Sequence, residues 1–236
     1  MQRYFAKDKK NNELILYESD LHHIKNVMRY KENDQIEVVF HEIVYICNII
    51  SLDPLKLSIV TEQRESKDLK VNLTIAISLV QEQKFDLILQ KLTELGVTKI
   101  IPLKTERTIV RLDDKKVEKK INRWKTICKE ASEQSKRTNI PKIDNIKTLK
   151  QIITEKDELK LICSLNEKTQ YIDTYLKDNI KNILFVIGPE GGFSKDEEKF
   201  LLNNKFEPVS LGSRVLRVET AAMYVTSIIN YKYRGW

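Results

Sequence analysis

The sequence predicts an α/β protein of two domains, a small β-barrel over residues 1–68 followed by an α/β domain over residues 69–236. Three observations predict it. Short segments of alternating apolar residues fill the chain up to residue 64, and from Val71 onward apolar strand-like runs alternate with segments of helical period. Glycine, only six residues of 236 where about 7% is usual, places three of the six within five positions at the end of one apolar run.

In the first domain, Glu13 to Tyr17, Gln35 to Phe40, Ile43 to Ser51 and Leu55 to Ile59 read as strands, and in the last of these Leu55, Leu57 and Ile59 share a face. One helical segment, Asp20 to Arg29, interrupts them and sets Leu21, Ile24 and Met28 on one side. The polar run Glu62 to Asp68 reads as a linker.

In the second domain, five strands are predicted: Asn72 to Leu79, Lys99 to Leu103, Leu159 to Ser164, Asn182 to Ile187, and Pro208 to Leu211. Between the first two, Phe85, Ile88, Leu92 and Leu95 follow helical spacing, with Gly96 placed to end the helix. A longer helix carries Val117, Ile121, Trp124, Cys128 and Ala131 on its apolar face, and the last carries Ala221, Val225, Ile228 and Ile229. Ser194 followed by Glu197 is a capping-box signature that opens a helix over Lys195 to Asn203.

Composition bounds the function classes. The chain is 41% apolar and 32% charged, as in a soluble globular protein, and no apolar run approaches the roughly 20 residues of a membrane span. The start, Met1 to Phe5, has no apolar signal-peptide core. Cys47, Cys128 and Cys163 are odd in number and far apart, which argues against disulfides or a cysteine zinc site and for a reducing cytosol. His22 and His23 have no accompanying carboxylate or cysteine set, so no metal site is expected. A formal net charge of +7 favours an anionic partner.

The glycines lie in Ile187-Gly188-Pro189-Glu190-Gly191-Gly192-Phe193-Ser194, and a fourth in Leu211-Gly212-Ser213-Arg214-Val215-Leu216. The first loop follows a strand of the continuous apolar kind and precedes a helix, the place where open α/β sheets bind ligands. It lacks both the phosphate-loop spacing and the dinucleotide fingerprint. Two uses remain: a plain anion nest, or an adenosine pocket in which glycines allow close backbone approach and Leu211 and Leu216 sandwich a base.

Ile187 to Ser194 is similar to I-G-P-E-G-G-F-S, and Ser210 through Ala221 resembles S-L-G-x-R-I-L-R-x-E-T-A, the two motifs of the bacterial 16S ribosomal RNA uridine-N3 methyltransferases, the RsmE family of the SPOUT superfamily. Further matches run through Gln90 to Val97, Thr105-Glu106-Arg107, Arg123-Trp124, Glu130-Ala131, Gln134-Ser135 and Arg137, with a weaker one over Arg3-Tyr4-Phe5 and His23 to Arg29. The resemblance implies a trefoil-knotted methyltransferase domain behind a PUA-like barrel, S-adenosyl-L-methionine as cofactor, a homodimer, and a substrate uridine in the decoding region of the small ribosomal subunit. Two departures accompany it. Gln81-Glu82-Gln83-Lys84 stands where the family has a lysine after the first α/β strand, and no glycine stands near Lys31 to Asp34. The same motifs imply a cofactor set of Leu165, Ile187, Gly188, Pro189, Glu190, Gly191, Gly192, Leu211, Gly212, Val215, Leu216, Arg217, Thr220 and Ala221.

Uracil N3 carries a weakly acidic proton, and its attack on an electrophilic methyl needs a base or a cation beside the oxygens that gain charge. Arg217 and Glu219, two residues apart before the last helix, offer both; the competing reading is an ion pair that only shapes the loop. Arg3, His23, Lys25, Arg29, Arg107 and Arg137 are the candidate RNA contacts. The basic run Lys115, Lys116, Lys119, Lys120, Arg123, Lys125, Lys129, Lys136 and Arg137 either tracks phosphates or is a solvated face. Two rival readings remain: a ribose 2′-O-methyltransferase of the same superfamily, against which Glu219-Thr220-Ala221 argues, and a non-catalytic RNA-binding or assembly protein, which need not keep the four glycines.

Overall fold

The computed structural model describes residues 1–11, 13–65, 69–110 and 114–234, without the side chains at 114 and 115. The chain separates into two compact units, residues 1–68 with 129–140, and residues 69–128 with 141–236. Residues 129–140 thus join the first unit, although their sequence pattern continues a helix of the second.

The first unit is built from strands β1 (Arg3–Phe5), β2 (Asp8–Lys10) and β3 (Glu13–Ile15), helix α1 (Glu18–His22) running into a π-helical turn (His23–Val27), and strands β4 (Gln35–Phe40), β5 (Ile43–Leu52) and β6 (Leu55–Arg64). β1, β4, β5 and β6 form one sheet in that order, with β1 parallel to β4 and the others antiparallel, while β2 and β3 form a hairpin. The alternation works as predicted: Ile36 and Val38 of β4 and Tyr45, Cys47 and Ile49 of β5 enter one core with Tyr4, Leu14, Leu16 and Ile24, and Val39 and Val44 meet Phe5 on the other face. Two expectations need correction. β6 continues through Glu62, Gln63 and Arg64, so the first three residues of the expected linker are strand; Ser66, Lys67 and Asp68 lie outside the described residues. The π-helical turn also shifts the helical period, so Met28 stands 41% exposed while Ile24 is fully buried.

Residues 129–140 are tied into this unit by charge. Arg3, 1% exposed, donates from Nε to Glu37 Oε2 (2.7 Å), from Nη1 to the carbonyls of Lys136 (2.7 Å) and Arg137 (3.2 Å), and from Nη2 to Glu65 Oε2 (3.1 Å). Lys129 Nζ donates to Asp20 Oδ1 and Glu133 Oε1, both at 2.6 Å, and Glu133 Oε1 also accepts from the Phe5 N–H (3.2 Å). Two buried carboxylates share this one cation, and Asp20 Oδ2 has no hydrogen-bond partner.

The second unit runs β7 (Asn72–Ser78), α2 (Glu82–Glu94), β8 (Lys99–Lys104), α3 (Asp114–Gln134), β9 (Lys142–Ile143), β10 (Lys147–Thr148), α4 (Leu149–Ile152), β11 (Leu159–Cys163), α5 (Ile172–Tyr175), β12 (Asn182–Ile187), α6 (Lys195–Asn203), β13 (Glu207–Val209) and α7 (Val218–Tyr233). All strand pairs are parallel, in the order β10-β8-β7-β12-β11-β13, with β9 added on β8. The five predicted strands are all present. The sheet has seven because β9 and β10, two residues each, are too short to show a period.

Successive residues of the central strands serve opposite layers, which is why these strands read as continuous apolar runs. Leu73, Ile75 and Ile77 of β7 and Ile183, Phe185 and Ile187 of β12 face a layer with α2, α3 and α7; Ala76, Leu184 and Val186 face one with α4 and α6. Trp124 is packing, 3% exposed and with its ring centroid 4.8 Å from that of Phe85. Gly96 ends α2 with φ +94°, as its position predicts.

Burial pushes the Glu133 carboxyl up to about 7 against the pull of Lys129. A folded-state value raised above the ordinary 4.5 means that protonation favours the fold, and that this contribution is lost as pH rises through about 7. Replacing Lys129 by Ala leaves two buried carboxylates without their cation and is predicted to cost about 3–5 kcal/mol at pH 8. Urea unfolding is predicted to show a smaller cost at pH 5, where Glu133 takes up a proton.

Candidate functional site

Three parallel strands side by side, β12, β11 and β13, end in loops that together wall one pocket; its lining comes from residues 163–165, 167, 168, 187–190, 192 and 210–216, with Val218 and Ala221 of α7. Each loop is fixed by its own hydrogen bonds.

In the loop after β12, a Cβ on Gly188 would lie 3.0 Å from the Phe193 ring, so no side chain fits there without displacing that ring. Gly192 has φ +66° and donates its N–H to the Pro189 carbonyl (2.9 Å), closing a turn that a side chain would strain. Ser194 then closes the predicted capping box: its Oγ accepts from the Glu197 N–H (3.2 Å), and Glu197 Oε2 accepts from the Ser194 N–H (3.0 Å). Glu197 Oε1 also holds the Glu106 N–H (2.7 Å), and next to it Arg107 Nη1 donates to the carbonyls of Gly191 (2.6 Å) and Phe193 (3.3 Å). The loop after β8 therefore clamps the glycine loop.

The loop after β11 has no glycine and is shaped by side chains. The Ser164 hydroxyl donates to Glu198 and accepts the N–H groups of Asn166 (3.0 Å) and Glu167 (3.2 Å). Glu167 Oε1 takes the N–H groups of Thr169 (2.7 Å) and Gln170 (3.0 Å), and these bonds, Thr169 first, pull its carboxyl down to about 2. Burial pushes the Cys163 thiol up to about 12, so it lines the pocket as a neutral group. In the loop after β13, Gly212 has φ +106°, and a Cβ there would meet nothing within 4 Å; backbone conformation, not space, requires the glycine.

Of the sequence-predicted cofactor set, Leu165, Ile187, Gly188, Pro189, Glu190, Gly192, Leu211, Gly212, Val215, Leu216 and Ala221 line this pocket. Gly191, Arg217 and Thr220 do not: Gly191 faces the Arg107 side chain and lines two neighbouring clefts, and Arg217 and Thr220 are exposed. Cys163, Ser164, Glu167 and Lys168 join the lining with no signal in the sequence, because strand order brings them there.

Arg217 is the extended residue that precedes α7, and Glu219 stands in the first turn. The ion pair between them that the competing reading requires is not formed. Glu219 Oε2 is instead buried without a hydrogen-bond partner. A different ion pair stands at the glycine loop: Lys84 binds Glu190 and, with a smaller pull from Arg217, holds its carboxyl below the usual range. Lys84 stands at the end of the Gln81 to Lys84 segment and so supplies a lysine beside the glycine loop after all.

The candidate RNA contacts divide. Arg3 and Arg137 are corrected: they are 1% and 6% exposed, and the donors of Arg3 are bound inside the first unit. His23 is half-buried with Nδ1 2.9 Å from the Tyr4 hydroxyl, Lys25 pairs with Asp53 (3.2 Å), and Arg29 is exposed. Arg107 is exposed, with Nη1 committed to the glycine loop. The basic run divides as well, with Lys119 and Lys125 exposed and four of its members paired with carboxylates, Lys136 with Glu37 among them. Lys120 pairs with Glu82, Arg123 with Glu82 and Asp86, and Lys129 with Asp20 and Glu133, while the Lys115 side chain lies outside the described residues.

A family described as an RNA methyltransferase domain matches residues 67–230, and one described as an RNA methyltransferase PUA domain matches residues 16–62. The chain is 32% identical to ribosomal RNA small subunit methyltransferase E of Bacillus subtilis, over 98% of this chain and 97% of that one. It is 30% identical to the Aquifex aeolicus protein of the same name, over 97% and 99%. A methyltransferase from Legionella pneumophila in complex with bound S-adenosylmethionine superposes with a TM-score of 0.91 at 28% identity, over 98% and 97% of the two chains. The methyltransferase E of Neisseria gonorrhoeae, also bound to S-adenosylmethionine, does so at 0.89 and 27%, over 99% and 98%. With its paired motifs, its α/β sheet and its amino-terminal PUA domain, the chain belongs to the family of RNA methyltransferases that includes ribosomal RNA small subunit methyltransferase E.

Proposed function

We propose that this protein methylates N3 of a uridine in 16S ribosomal RNA, in the decoding region of the small subunit, using S-adenosyl-L-methionine. The observation that carries the reading is a pocket built from three strand-end loops and closed by Val218 and Ala221 of α7, the helix in whose first turn Glu219 keeps a buried, unpartnered carboxylate oxygen. The residues present suit the cofactor. Gly188 and Gly192 let backbone approach closely, Leu211 and Leu216 offer apolar walls for an adenine ring, and Leu165 and Val215, 51% and 78% exposed, are apolar side chains for a ligand to cover. The cofactor supplies an electrophilic methyl group.

Glu219 takes the role of proton acceptor for the uracil imide, since an unsatisfied buried carboxylate oxygen gains a hydrogen bond when N–H is presented to it. Arg217 stabilises the negative charge that then spreads onto the uracil oxygens, helped by the amino-terminal end of α7. Residues 1–68 serve as the RNA-gripping domain and 69–236 as the catalytic one, with Lys25, Arg29 and His23 as first-domain contacts. The reading includes a trefoil-knotted backbone, supported by β13 lying beyond β11 while α7 returns to pack on β12 and α2. No helix among the described residues is long and apolar enough to cross a membrane, and the three free cysteines support a cytoplasmic setting.

Two variants separate binding from chemistry. Gly212→Val, strained at φ +106° by about 1–3 kcal/mol, is predicted to weaken S-adenosylmethionine binding in calorimetry while the far-UV spectrum of the fold survives. Arg217→Ala is predicted to leave that affinity nearly unchanged and to lower kcat by about 10²–10³-fold; Glu219→Gln is predicted to raise the pH at which the rate climbs. Wild-type rates for both variants across pH would return the two residues to loop architecture. The protein is further proposed to act as a homodimer, and a monomer at micromolar concentration in sedimentation, with methylation intact, would contradict that.

A further inference from the structure

A second cleft adjoins the glycine loop and shares Pro189 and Glu190 with the pocket just described. It is walled by Leu79 and Val80 beyond the end of β7 and by Ile109 and Val110 of the loop after β8, with Gln81 at its polar edge. We propose that this cleft is the slot that receives the unstacked target base, a pyrimidine taken out of single-stranded or opened RNA. The proposal rests on the reading of the chain as a uracil methyltransferase and adds where the base sits.

Position comes first. A base that accepts a methyl group must lie against the cofactor pocket, and two neighbouring clefts share residues with that pocket. The other one, at Ser164, Leu165 and Asn166, is bordered by Glu198, whose carboxylate is already held by Ser164 and Asn166. The Leu79–Ile109 cleft meets the cofactor pocket at Pro189 and Glu190, and apart from that carboxylate no acid stands among the described residues that line it.

Lining chemistry points the same way. Leu79 and Val80 are buried and fix one apolar wall, whereas Ile109 stands 86% exposed, a large aliphatic side chain with its face open to solvent. A flat base laid between them removes that surface from water, and every base has such a face. Gln81 and Arg107 line the same cleft and bring N–H donors that suit a base edge and a phosphate.

The test uses the full chain and small-subunit ribosomal RNA carrying 4-thiouridine, with photocross-links mapped by mass spectrometry. Cross-links at Leu79 to Gln81 and at Ile109 or Val110 are expected; cross-links confined to Cys163 to Asn166, or to residues 1–68, would overturn the slot. In parallel, Ile109→Ser changes an exposed side chain and should lower kcat/KM for RNA about tenfold, with S-adenosylmethionine affinity by calorimetry within about twofold of wild type. An unchanged kcat/KM overturns the slot. So does a variant that shifts the sedimentation of the protein instead, because Ile109 would then be covered by a second copy of the chain. A wild-type protein that binds S-adenosylmethionine but methylates no RNA refutes the underlying reading rather than the placement of the base.

Discussion

The parallel pairing of β7, β12, β11 and β13 is the constraint on which the rest of the second unit depends. Parallel strands send every carboxyl end to the same side of the sheet, so the loops after β11, β12 and β13 meet although 24 residues separate the first two starts, at Cys163 and Ile187. Both faces of those strands must be covered, and the two apolar layers do so. The pocket is therefore a consequence of sheet order, and its shape a consequence of which backbone conformations each loop can hold.

Within that frame, side chains and glycines divide the task. Gly188, Gly192 and Gly212 give the loops after β12 and β13 conformations or approaches that a Cβ would disturb, whereas the loop after β11 reaches its shape with the Ser164, Asn166 and Glu167 hydrogen bonds. Arg107 and Glu197 then fasten the glycine loop to the loop after β8. At the start of α7, Glu219 Oε2 is buried without a partner. An unsatisfied buried carboxylate oxygen costs stability, and a site that needs an acceptor for a proton is where such a cost is retained.

Charge plays a different part in the first unit. Arg3, Lys129 and Lys136 are held by Glu37, Glu65, Asp20 and Glu133, and through them residues 129–140 join strands laid down at the start of the chain. Lys129 and Lys136, two members of the basic run, are thereby committed inside this unit. Arg29 in the first unit and Arg214 and Arg217 in the loop after β13 stay exposed, as do Lys119 and Lys125 of α3.

The sequence by itself determined the longer elements and the identity of the glycine loops, but not β1, β2, α4 or α5. Continuous apolar runs are enforced by burial on two faces, capping boxes by backbone N–H groups at a helix start, and Gly188 and Gly192 by contacts and torsions within one short segment; all are local rules legible in neighbouring residues. Only the tertiary structure decided which charges are free and which loops meet. Arg3 looks like any surface arginine until Glu37 and Glu65, more than thirty positions away, are seen to bind it, and nothing near Ser164 in the chain marks it as a pocket residue. The two-residue strands β9 and β10 and the π-helical turn after α1 belong with these, since each is too short to impose a period and is held in place by partners distant in the chain.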